Sequence, residues 1–267
     1  GLQWVPGALV LRLGPERVAQ ALGPDALGGR VAFNIASCDG DGYFYSSLLV
    51  VTDLRGENVT VRVVPDMTQS ADRTSQYGVT HFDGLKMLDP SHVLLAGNTD
   101  PISESGPAFV YDWRGGALTR LGLPVSVDGT AHDIQWLPPG TGGRTDGGLY
   151  RPTGKGFVLF DTTSGLELES YGSPHFHDVN HAQVLLDGSA TAVVSSRYSS
   201  SFHKYDMAVG ANIWTVGGAA GTLALVDIDG NLHPPGASLF YGQHNAEYFG
   251  DGEYTTFDPP RALGDEA

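Results

Sequence analysis

Cysteine is almost absent. Cys38 is the single thiol among 267 residues, so no intrachain disulfide can form. Compartment stays open on that ground, because a β protein of this size needs no covalent staple. Cationic side chains are scarce too. The chain carries 15 Lys and Arg against 30 Asp and Glu, a net charge of −15. Without a basic stripe to displace counterions, a nucleic-acid backbone is excluded as a partner. No run of about 18 apolar residues occurs, which excludes a membrane-spanning helix. Residues 1–10 have no charged n-region and are too short for a signal peptide. The expectation is that any signal has been removed or lies outside this sequence. There is no Gly-x-Ser-x-Gly elbow. The glycine-rich stretch 140–148 lacks the Lys-Ser/Thr of a phosphate loop, and Gly154-Lys155-Gly156 is too short to be one.

Glycine is abundant instead. With 37 Gly and 16 Pro, about a fifth of the chain favours turns over long helices, while 41% hydrophobic content is ordinary for a folded domain. Residues 1–30 form a poorly patterned lead-in, in which Pro15 to Leu27 is predicted as a short helix ended by Gly28-Gly29.

From residue 31 onward, short apolar runs alternate with Gly, Asp and Asn. One unit recurs four times: an apolar strand ending in Asp, a turn containing Gly, then another strand. The Asp residues are Asp53, Asp112, Asp161 and Asp206, followed by Gly56, Gly115, Gly165 and Gly210. Asp bonds the backbone two residues on, and Gly supplies the positive φ that closes a hairpin. A second unit keeps the same phase. His81, His132, His181 and His244 each open an apolar strand. A period near 45–50 residues with four strands per period predicts an all-β fold, a β-propeller. A β-sandwich also has many short strands, but it would not repeat both landmarks. After His244 only two strands remain, so about five blades are expected over residues 31–267. A partner chain or a missing C-terminal segment is expected to close the ring.

If those four histidines begin innermost strands, their imidazoles converge at one mouth of the channel. Converging imidazoles suit metal binding, nucleophilic catalysis or anion binding. Arg197, after Val193-Val194-Ser195-Ser196, places a guanidinium in the same region and favours an oxyanion over a cation. His175, His177, Asp178 and His181 look locally like the start of a metallo-hydrolase motif, but Asp directly after the second His breaks that pattern. No metal is expected. Cys38-Asp39-Gly40-Asp41-Gly42 lacks the later ligands of a calcium loop.

Four segments occur in order: Ala131-His132-Asp133-Ile134-Gln135-Trp136-Leu137-Pro138, Asp178-Val179-Asn180-His181, Val194-Ser195-Ser196-Arg197 and Gly242-Gln243-His244-Asn245-Ala246. Together they resemble the arylsulfate sulfotransferase (arylsulfotransferase) family over roughly residues 31–260. The resemblance implies a six-bladed β-propeller that moves a sulfuryl group from an aryl sulfate to a phenol, with no nucleotide donor and no cofactor. By that resemblance His244 is the nucleophile that forms a sulfohistidine. His132, His181 and Arg197 hold the sulfuryl oxygens and assist the leaving phenolate, and His81, Gln243 and Asn180 are candidates for substrate binding.

The chain departs from that family in three places. Gln183 stands where the family commonly has Asn, the segment 217–242 is long enough to form a lid, and residues 1–30 are too few for the N-terminal β domain that dimerises the bacterial enzymes. Family members of known activity are exported, so a secreted, periplasmic or secretory-lumen location is implied. The sequon Asn58-Val59-Thr60 agrees with that. Two rivals remain: a non-catalytic propeller that serves as an interaction scaffold, and a hydrolase with a metal at the channel.

Overall fold

The computed structural model describes residues 2–5, 8–11, 30–38, 44–53, 58–64, 79–99, 105–121, 133–139, 147–161, 164–227 and 229–257. Among these residues there is no helix, and none therefore that is long and apolar enough to cross a membrane. The helix expected over Pro15–Leu27, the loop 39–42 and His132 lie outside the described residues.

The strands follow one another as antiparallel meanders. After a hairpin of β1 (Leu2–Val5) and β2 (Ala8–Leu11), the first blade is β3 (Arg30–Cys38), β4 (Phe44–Asp53) and β5 (Thr60–Val63). The second is β6 (Val79–Met87), β7 (His92–Thr99), β8 (Ser105–Asp112) and β9 (Leu118–Arg120). The third is β10 (Gln135–Leu137), β11 (Gly148–Thr153), β12 (Gly156–Phe160) and β13 (Glu167–Gly172). The fourth is β14 (Val179–Val184), β15 (Thr191–Ser196), β16 (Ser201–Asp206) and β17 (Ala211–Val216). Two pairs follow: β18 (Leu225–Val226) with β19 (Leu232–His233), and β20 (His244–Gly250) with β21 (Glu253–Phe257).

The turn chemistry that marks each repeat lies between the last two strands of each blade. Asp112 accepts from the backbone N–H of Arg114 and Gly115, Asp161 from Ser164, and Asp206 from Ala208 and Val209. Gly165 and Gly210 carry the expected positive φ. In the second blade the positive φ falls on Gly116, while a Cβ on Gly115 would displace the Asp112 carboxylate.

The burial pattern separates a propeller from a sandwich. Successive side chains on a strand point to opposite faces, and a sandwich sheet buries one face only. Here middle strands bury both. Val93 and Leu95 of β7 pack with Leu49, Val51 and Val64 of the preceding blade. The alternate Leu94 and Ala96 pack with Ile134, Leu149, Val158 and Phe160 of the next. Phe157 and Leu159 face Val179, Ala182 and Val194 of the fourth blade. Val193 and Phe202 face Ala246 of β20, with Tyr248 and Tyr254 against the cluster. The second, third and fourth blades are thus each held between two neighbours, which is the arrangement of a β-propeller. It also explains why these strands read as continuous apolar runs rather than alternating ones.

Phe157 is the keystone of the third interface. It is buried, stacks on Tyr171 at 5.0 Å and meets Tyr150 and Tyr205 edge-on. Phe157→Ala is expected to cost about 4 kcal/mol, through lost transfer energy and an unfilled cavity. Urea unfolding followed by intrinsic fluorescence checks this.

Polar stitches join neighbouring first strands. Gln135 donates from Nε2 to Val184 O and accepts from Val184 N. Gln183 does the same to Tyr248 O and Tyr248 N. The Gln183 departure noted in the sequence is therefore a backbone clamp between the fourth blade and β20.

Candidate functional site

Gln243 is the anchor of the site. It is completely buried, and its amide donates to Ser196 O and Ser201 O at the end of the fourth blade. Its own carbonyl accepts from Asn180 Nδ2 at 3.1 Å and from Ser195 Oγ at 3.4 Å. The next residue, His244, opens β20 half-buried, and its carbonyl accepts from Thr256 Oγ1. On the other side of Gln243, a Cβ on Gly242 would come within 3.9 Å of Arg197 Cγ, so the Arg197 stem runs alongside. Asn180, Arg197, Gln243 and His244, drawn from three segments, therefore meet at one end of the fourth blade.

Arg197 is oriented by its neighbours. Its backbone N–H donates to Asp178 O, its Nε pairs with Asp178 Oδ2 at 3.2 Å, and its guanidinium lies 4.9 Å over the Tyr198 ring. Asp178 offsets part of its charge, and the side chain stays about a third exposed. The backbone is tight here. Asp178, Ser200 and Asn245 all have φ between 47° and 56°, a region that costs a non-glycine residue about 1 kcal/mol or more.

Behind this end runs a hydroxyl network. Ser196 Oγ donates to His177 O, Ser199 Oγ donates to Ser196 Oγ, and Ser199 meets Ser201, which meets His203 Nε2 at 3.0 Å. Thr215 Oγ1 lies 2.9 Å from the other ring nitrogen. Burial first, then the nearby His175 and His177, push His203 down from 6.5 to about 4. The folded state therefore favours neutral His203. Its contribution is full above pH 6.5 and is lost as pH falls through 6.5 towards 4. The loss amounts to roughly 3 kcal/mol. Denaturant midpoints of wild type and His203→Gln at pH 7 and pH 4.5 check this. The pH-dependent drop is expected to shrink in the variant.

A second cluster was not found from the sequence. Lys86 of β6, Asp133 just ahead of β10, His181 of β14 and Glu247 of β20 converge. His181 Nδ1 lies 2.7 Å from Asp133 Oδ2, and Lys86 Nζ lies 3.5 Å from Asp133 Oδ1 and 3.1 Å from Glu247 Oε1. Glu247 Oε1 lies 3.9 Å from His181 Nε2. β6 belongs to the second blade and β20 follows the fourth, so the Lys86–Glu247 pair spans the middle of the propeller. Burial alone would raise the Asp133 carboxyl, but contact with His181 and the charge of Lys86 outweigh it and hold it below the ordinary range. Lys86 goes up, because the two carboxylates outweigh its desolvation.

The paired Gln clamps set the register of the repeats. Gln135 and Gln183 are equivalent, so Asp133 is the counterpart of His181, and His132 is the counterpart of Asn180. Val184 and Tyr248 are clamped alike, so His244 also falls at the Asn180 position. The spacing of the histidines suggests one ring of four, whereas His181 stands one residue out of phase. A β-bulge between Val179 and His181 accommodates the slip. His81 lies in β6, but its side chain is outside the described residues. The clamp register is the signal that could have revealed Glu247 and Lys86, since both stand where other blades have Gln135 and Gln183.

The local metal-like group is not assembled. Asp178 turns to Arg197 and His181 to Asp133, and among the described residues no group of three His, Cys, Asp or Glu side chains is arranged to hold a metal ion.

No protein-family model matches the chain, and no curated protein matches it. Among solved structures it is similar to a protein of unknown function from Bacteroides caccae, at 11% identity and TM-score 0.43, covering 68% of this chain and 60% of that one. It is similar to the Dos1 propeller at 12% identity and TM-score 0.43, covering 83% of this chain and 52% of that one. It is also similar to apo AztD from Citrobacter koseri at 14% identity and TM-score 0.35, covering 71% and 45%. The chain spans between 45% and 60% of the length of these three structures.

Proposed function

We propose that this propeller is an aryl sulfate:phenol sulfotransferase that works by double displacement through His244. The observation that carries this reading is the Gln243 anchor. It brings His244, Asn180 and Arg197 to one end of the fourth blade, as the sequence resemblance requires. In the first half-reaction the His244 imidazole attacks sulfur. An N–S bond forms as the S–O bond to the phenol breaks. In the second, the oxygen of an acceptor phenol attacks the same sulfur and the N–S bond breaks. The equatorial sulfuryl oxygens carry charge throughout, and the partly exposed Arg197 guanidinium suits them. His181 handles the proton, and His132 assists the leaving phenolate. No cofactor is required, since the donor is itself an activated sulfate ester. The six-bladed ring, its closure by a further segment or partner chain, and an exported location belong to the same reading.

The test is 4-nitrophenyl sulfate with the full-length protein, with and without added phenol and without nucleotide. Nitrophenolate release that depends on phenol is the expected result. A folded preparation that releases none across a panel of aryl sulfates overturns the reading and favours an interaction scaffold.

A further inference from the structure

The strongest unassigned feature is a buried histidine among three charged side chains. Lys86 and Glu247 are about one third exposed (33% and 31%), whereas Asp133 and His181 are closed off at 6% and 1%. His181 Nδ1 lies 2.7 Å from Asp133 Oδ2, whereas Nε2 is buried with no partner within hydrogen-bond distance among the described residues. A buried polar group left in that state is costly and calls for a role.

We propose that Asp133, held by Lys86, is a positioning residue that keeps a proton on His181 Nδ1 and leaves Nε2 as the nitrogen that gains and loses one. An ionised carboxylate only accepts, so the nitrogen 2.7 Å from Asp133 Oδ2 is the one that carries hydrogen. Glu247 Oε1 faces Nε2 at 3.9 Å, beyond hydrogen-bond reach. Lys86 bridges both carboxylates and holds Glu247 off the ring. Gly84 makes the approach of β6 possible. A Cβ there would lie 3.1 Å from Asp133 Cα and from Ala96 Cβ. Of the strands packed on β14, β11 brings the buried Arg151, and β20 brings His244 and Glu247.

The role rests on the sulfuryl-transfer reading, whereas the tautomer does not. In the donor half-reaction Nε2–H gives its proton to the departing phenolate oxygen. In the acceptor half-reaction the phenol O–H breaks as oxygen attacks sulfur, and that proton returns to Nε2. One proton cycles, and no further acid or base is consumed.

Ring-15N NMR of the full-length protein tests the placement, with the His181 signals assigned by their loss in His181→Asn. On the alkaline side of its titration, His181 is expected to show the Nδ1–H tautomer. Asp133→Asn is expected to shift it towards Nε2–H, and Glu247→Gln is expected to leave it unchanged. In the 4-nitrophenyl sulfate assay, Asp133→Asn is expected to lower kcat by about 10²-fold or more with little change in KM. A wild-type ring protonated on Nε2 overturns the proposal, and this measurement needs no variant to fold. So does an Asp133→Asn spectrum identical to wild type. The expected spectra in a protein that turns over no aryl sulfate uphold the placement and overturn the proton-transfer role.

Discussion

Alanine at position 244 is expected to abolish phenol-dependent nitrophenolate release, by about 10³-fold or more, while the far-ultraviolet spectrum and unfolding midpoint stay close to wild type. The side chain is half-buried at the start of β20, and its backbone carbonyl, not its ring, bonds to Thr256. Removing the imidazole therefore spares the main-chain bonds that hold the strand. In the proposed double displacement the nucleophile is lost outright, and Arg197 and His181 have nothing to act upon. Exogenous imidazole is expected to restore a measurable fraction of release, because the vacated space matches the missing ring. Full activity in His244→Ala would remove the double displacement as written.

Gln243→Glu is expected to have the second largest effect. The substitution keeps the shape of the side chain and exchanges its amide for a carboxyl. In the native protein that amide donates to two buried carbonyls, Ser196 O and Ser201 O. A carboxylate would turn acceptor against acceptor in a place with no exposure to solvent. The expected loss is about 3 kcal/mol of stability, larger than for most single surface changes. Activity is expected to fall by about 10²-fold in the population that stays folded, because His244 is the next residue along the chain. Urea midpoints and single-turnover assays on the same preparations separate the two effects. Unchanged stability would mean that Gln243 does not anchor β20.

These two variants probe different links. In the proposed mechanism His244 acts through its ring, and Gln243 acts through the backbone that presents that ring. The His203 network behind Gln243 couples the same end of the blade to acid. Ser201 both accepts from Gln243 through its carbonyl and meets His203 through its hydroxyl. Protonation of His203, which the folded protein delays until about pH 4, therefore loosens the anchor as well as the blade.

By itself the sequence determined the propeller, because the features involved are local. An Asp followed by Gly closes each hairpin from within a few residues, as at Asp161 and Gly165. Continuous apolar runs such as Val93-Leu94-Leu95 announce strands with both faces covered. The order of Asn180, Arg197, Gln243 and His244 was legible as well, through the motifs that contain them. Blade count was not, since the described strands form four blades and further pairs. Of the four histidines, His181 stands one residue out of the clamp register for a physical reason. In a strand, a slip of one turns every side chain to the other face, and the bulge at Asn180 makes that slip invisible to spacing. Only the tertiary structure decided the charged quartet. Lys86 and Glu247 stand 161 positions apart, on strands that share no sheet, and meet at 3.1 Å because the blades are arranged around a common centre. A charge pair across that centre leaves no periodic trace along the chain. Its residues look like solvated surface until the fold brings them together.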